Sequence, residues 1–104
     1  MNDLVILGAL IVDGSGSEPA TGDVAVLDGV ISAVGKHGLT GTQLVDGSGF
    51  VLAPGIVDIH THYDAQLTWD ASASPSPQMG VTTVVVGNCG FGLAPCHPDH
   101  RDLT

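Results

Sequence analysis

Ile56-Val57-Asp58-Ile59-His60-Thr61-His62 decides the reading of this chain. Its Ile, Val and Thr content suits a strand, and Pro54-Gly55 in front of it is a turn signal. A second run, Val81-Thr82-Thr83-Val84-Val85-Val86, is β-branched without alternation. That pattern predicts a strand buried on both faces, as in a parallel sheet. Parallel neighbours need a crossover, and roughly Tyr63 to Gly80 is long enough for one helix. Within it, residues 71–77 are small and Pro-broken, which predicts a loop or the lead into a short helix ending near Gly80.

Working towards the N-terminus, Leu4–Leu7 and Ala9–Val12 are apolar runs separated by Gly8. The Asp13-Gly14-Ser15-Gly16-Ser17 stretch breaks them with turn chemistry. Val24–Leu27 and Val30–Val34 flank Asp28-Gly29, a pair suited to a two-residue type I′ hairpin turn. Gln43–Val45 predicts a further strand, closed by Asp46-Gly47. A small antiparallel sheet over residues 1–52 is therefore expected, followed by a first βαβ portion over 53–104. No closing element follows Val86, so the chain is expected to be the N-terminal piece of a longer protein.

Composition narrows the function. The 104 residues hold eleven acids against two Lys or Arg, a net charge of −9. A nucleic-acid binder that neutralises phosphates is excluded by that balance, and docking on an anionic membrane is equally disfavoured. A 43% apolar content argues against disorder. With no run of 18 apolar residues and no basic leader, two cysteines point to a reducing cytoplasm.

Three residues carry the chemistry. On a strand, His60 and His62 would share one face, with Cα atoms roughly 7 Å apart, close enough to converge on one ion. Two inert, hydrogen-bonded histidines are the bland alternative. Cys89 follows the second run, at the same C-terminal strand edge where α/β folds gather ligands. Its thiolate could bind zinc or bridge two ions; alone, a buried apolar thiol is the simpler reading. Placing all three at one edge favours the metal. A rival site uses Cys89, Cys96, His97 and His100, spaced C-x6-C-H-x2-H, but its first gap exceeds that of zinc fingers. Asp64 reads as a solvated loop acid or a partner for a histidine, Trp69 as a loop anchor or a substrate-loop aromatic, and Asn88 as a turn cap or substrate donor.

The stretch Pro54 to His62 resembles the first barrel strand of the amidohydrolase superfamily. Gly80 to Gly90, ending Gly87-Asn88-Cys89-Gly90, resembles the second-strand segment of its D-aminoacylase branch, the N-acyl-D-amino-acid deacylases. Leu4 to Gly35 is similar to the small β-domain that precedes the barrel, and the likeness runs from Asp3 to Pro95. The fold it implies is α/β, the first two strands of a metal-dependent hydrolase TIM barrel. A small antiparallel β-sandwich-like domain would precede them, leaving this piece mostly β.

The same resemblance implies that His60, His62 and Cys89 hold one or two Zn²⁺ ions, Cys89 as the bridging ligand. It further implies amide hydrolysis of N-acylated D-amino acids by metal-activated water. An aspartate acting as base and acid is expected beyond residue 104, with two further histidines, because a full barrel needs on the order of 250 residues. Tyr63-Asp64-Ala65-Gln66 departs from the best-known D-aminoacylases and leaves the substrate open. A hydantoinase- or dihydroorotase-like cyclic amide hydrolase and a non-catalytic assembly module remain alternatives, as does a metal-free β-domain. The isolated piece is expected to be inactive.

Overall fold

The computed structural model describes residues 1–90, 92 and 96–103. It divides into two compact units, Met1–Pro54 and Gly55–Thr104. Residues 93–95, where the resembling stretch ends, lie outside the described residues.

Unit one is a five-stranded sheet. Its strands are β1 (Asn2–Ile11), β2 (Ala20–Leu27), β3 (Val30–Lys36), β4 (Gly41–Asp46) and β5 (Val51–Leu52). The order is β3-β2-β1-β4, with β5 also pairing β1. Asp28 and Gly29 both take positive φ, 50° and 74°, as a type I′ turn requires, and they close the β2–β3 hairpin. The two apolar runs around Gly8 are one strand. Gly8, at φ +66°, marks a register break between Ile6 and Ala9. A β-bulge of this kind keeps the strand continuous while re-aiming its side chains.

One expectation is corrected here: the sheet is mixed, not antiparallel. β4 and β5 both run parallel to β1. Residues 37–40 do not reverse the chain into a hairpin; they carry it from the end of β3 to the far side of β1. What fastens this crossing is Asp23. Buried at 4% exposure, its carboxylate accepts the Gly8 N–H at 3.0 Å and the Leu39 N–H at 3.1 Å. A second tie runs from the Asn2 amide to the Thr40 carbonyl. Hairpin chemistry is local and readable in sequence, whereas this crossing depends on an acid fourteen residues before it.

The Gly8 N–H, then the Leu39 N–H, hold the Asp23 carboxyl below the usual carboxylate range. A depressed folded-state pKa adds stability above the unfolded value, about 3.9, which is lost as pH falls through the folded value. Asp23→Asn should therefore lower Tm near neutral pH, on the order of 5 °C. It should also flatten the fall in stability below about pH 4. Thermal unfolding of both proteins between neutral and acid pH checks this; parallel curves would show that the carboxylate has no such role.

Unit two holds β6 (Ile56–Asp58) and β7 (Val81–Val84), paired parallel from Ile56↔Val81 to Asp58↔Val84. The connection contains one helical turn, α1 (Tyr63–Gln66), and a 3₁₀ turn at Ser76–Met79 that packs on β7. Both strands are shorter than the sequence suggests, and burial on both faces is not observed. Ile56 and Val57 are exposed, while Val81 and Val84 are half-buried. Among the described residues no long helix covers the pair. No helix among them is long and apolar enough to cross a membrane.

Candidate metal centre

β6 stops at Asp58 because the chain turns there. The Asp58 carboxylate accepts the His60 N–H at 3.1 Å, a local bond that competes with the strand ladder. His60 and His62 consequently lie past the strand rather than on it, and shared strand period is not what joins them. Thr61, buried between them, donates its hydroxyl to the Val85 carbonyl at 2.7 Å. That tie turns Thr61 inward and leaves both imidazoles exposed on the other side. Their ring centroids are 6.0 Å apart.

Cys89 sits in the bend after β7, half-buried and unpaired. Its loop is bonded to the histidine segment at one point and lies close to it at another. The Asn88 amide donates to the Ile59 carbonyl at 2.9 Å, directly before His60. On the other side, Gly90 takes φ +115° with the Asp64 carboxylate beside it. As a result the donor atoms of His60, His62 and Cys89 all lie within 4.8 Å of one another. A tetrahedral ion bonded at about 2.0–2.3 Å holds its donors somewhat closer, within reach of a small rotation of two exposed imidazoles. Two imidazoles and a thiolate suit a borderline-soft divalent ion such as zinc, so the residues present fit a metal.

An open cleft borders the group, lined by Asp58, Thr61, Tyr63, Gln66 and Ser76 besides the histidines. Its floor is well tied. The Tyr63 and Ser76 hydroxyls are hydrogen-bonded to each other. Gln66 donates to the Asp70 carboxylate and to the Ser74 carbonyl. The Ser72 hydroxyl, then Gln66 and the Ser74 N–H, hold Asp70 below the usual carboxylate range.

Among the described residues the rival tail site is not formed, and two other residues differ from their sequence reading. Cys96, His97 and His100 do not gather with Cys89 among the described residues. Instead the His97 ring faces Asp99 at 3.4 Å. Trp69, expected to anchor a loop, is 74% exposed. Asp64 is half-buried rather than solvated. Sequence reasoning missed Asp58 and Thr61, although an Asp two residues before a His is an Asx-turn signal.

No protein-family model matches the chain. It is 44% identical over 94 residues to the N-acyl-D-aspartate deacylase of Alcaligenes xylosoxydans xylosoxydans, covering 89% of this chain and 19% of that one. The crystal structure of D-aminoacylase, which defines a novel subset of amidohydrolases, matches with a TM-score of 0.83 at 36% identity. That match covers 99% of this chain and 23% of the other. N-acyl-D-glutamate deacylase from Bordetella bronchiseptica, complexed with zinc and a phosphonate mimic of the tetrahedral intermediate, matches with a TM-score of 0.76 at 38% identity. Coverage there is 91% and 20%. The chain thus spans about a fifth of the length of the curated relative it matches. Over these residues, in sequence and in fold, its homologues are D-aminoacylase and the N-acyl-D-amino-acid deacylases.

Proposed function

We propose that this chain is the metal-holding portion of an N-acyl-D-amino-acid deacylase, with His60, His62 and Cys89 as ligands for one or two zinc ions. The observation that supports this most directly is the convergence of the three donors from two separate loops. Units one and two would be the leading small β-domain, of sandwich type, and the first two strands of a TIM barrel, divided near residues 52 and 53. Two unpaired cysteines accord with a cytoplasmic setting.

A zinc ion so held would supply an activated water and a polarised amide carbonyl. The chain's own residues would hold the ion and shape its surroundings. His60 and His62 would bind through ring nitrogens and Cys89 through its sulfur. Thr61, bonded to Val85, keeps the segment between the histidines turned inward. The Tyr63–Ser76 and Gln66–Asp70 pairs present a polar wall to a small amide substrate. The general base is assigned outside residues 1–104, so this chain alone should turn over no N-acyl-D-amino acid.

Two measurements test the proposal. Elemental analysis of the zinc-loaded chain should find one or two zinc ions per molecule. Grafting residues 1–104 in place of the matching segment of an N-acyl-D-aspartate deacylase should preserve hydrolysis of N-acyl-D-amino acids over their L enantiomers. A metal-free chain would overturn the ligand assignment and leave an assembly role. Preference of the graft for cyclic amides would move the substrate to the hydantoinase class.

A further inference from the structure

The two histidines are carried by one loop and the thiol by another, so something must set the distance between them. Asn88 ties one flank of Cys89 to Ile59. The other flank is Gly90, where a β-carbon would fall 2.8 Å from Asp64 Oδ2 and 3.2 Å from Oδ1. The carboxylate therefore occupies the space that any side chain at position 90 would need. Gly90 also takes φ +115°, a conformation L-residues rarely adopt. Asp64 lies on α1, two residues after His62 and half-buried. The thiol loop thus lies against Asp64, two residues past the histidine pair.

We propose that Asp64 is a positioning residue for Cys89: packed against Gly90, its carboxylate locks residues 87–90 onto the start of α1 and holds the thiolate in reach of His60 and His62. The inference rests on the metal reading above and deepens it. It assigns Asp64 no contact with substrate or ion. Its role depends on shape as much as charge. Asparagine fits the same space, alanine leaves it empty, and glutamate is one methylene too long for it.

The test is cobalt titration of the full chain, with the thiolate-to-cobalt charge-transfer band as readout and circular dichroism as the folding control. Wild type should show the band. Asp64→Ala and Asp64→Glu should each weaken cobalt binding about tenfold or more and reduce the band at saturation, while Asp64→Asn restores both. Gly90→Ala should also lose the band, and part of that loss should be recovered in the Asp64→Ala/Gly90→Ala double variant, because neighbours sharing one space are not additive. Should Asp64→Ala fail to fold, Asp64→Glu and Asp64→Asn give the same comparison. A wild type without the band sinks the metal reading and this one together. A normal wild-type band that is unchanged in folded Asp64→Ala or Asp64→Glu sinks this inference alone.

Discussion

His60→Ala and Cys89→Ala are each expected to cut zinc affinity by at least about a hundredfold, while Cys96→Ala stays within about twofold of wild type. Removing only an outer partner of a zinc ligand costs 10–100-fold, so losing one of the three proposed ligands sets that range as a floor. The three are not interchangeable. Cys89 is half-buried, with the Asn88–Ile59 bond on one flank and Asp64 close to the other, so its sulfur supplies a pre-placed anchor. The imidazoles are exposed and adjust to it. Cys89→Ala should therefore cost more than His60→Ala, and Cys89→Ser should recover little, because a hydroxyl does not ionise near neutral pH. Competition titration against a coloured zinc chelator measures wild type and all four variants. Loss of affinity in Cys96→Ala with His60→Ala unaffected would transfer the site to the tail.

Gly55→Ala should disrupt unit two as a whole. A β-carbon at position 55 would lie 2.2 Å from Thr82 Oγ1, 2.3 Å from Cγ2 and 2.8 Å from Cβ. Rotating the threonine moves the first two atoms but not the third, so the backbone must give. The place where it would give is the start of the β6–β7 pairing, where the Ile56 N–H meets the Gly80 carbonyl at 3.0 Å. Overpacking of this severity costs about 3 kcal/mol, more than a two-stranded sheet with exposed Ile56 and Val57 can absorb. Amide hydrogen exchange should show protection lost in β6 and β7 but kept in β1 and β2. Zinc binding should fall with it, because the same pairing carries His60 and Cys89 to one end. A Thr82→Ala background removes the first two contacts but keeps the β-carbon, so only part of the effect should disappear. Full protection in Gly55→Ala would mean that the sheet relaxes around the methyl group.

The parts of this structure that sequence reveals are those governed by neighbours along the chain. Asp28-Gly29 announces a turn because only small or αL-tolerant residues fit both positions. The parallel β6–β7 pair follows from two β-branched runs separated by a crossover-length segment. His60, His62 and Cys89 do come together, though for a reason the pattern did not contain. Strand period was expected to align the histidines; an Asx turn at Asp58 and an inward Thr61 do so instead. The mixed sheet was not legible, since nothing local to residues 37–46 says that β4 pairs with β1. Asp23 looks like any acid near a turn until its two backbone partners, 15 and 16 residues away, are seen. Burial of β6 and β7 was over-read, because β-branched content reports suitability for a covered sheet rather than the presence of a cover.

The central place of β1 has a consequence in time. Its neighbours are β2, β4 and β5, so its last partner arrives only with Leu52. At 5–20 residues per second of synthesis, β1 waits about 2 to 8 s for that partner to emerge, whereas the β2–β3 hairpin can close within microseconds. Throughout that interval Leu4-Val5-Ile6-Leu7-Gly8-Ala9-Leu10-Ile11-Val12 is an apolar segment without its full set of neighbours, the kind that seeds strand aggregation. Gly8 divides it into two runs of four. The residue that bends the finished strand also shortens the sticky stretch a nascent chain must carry.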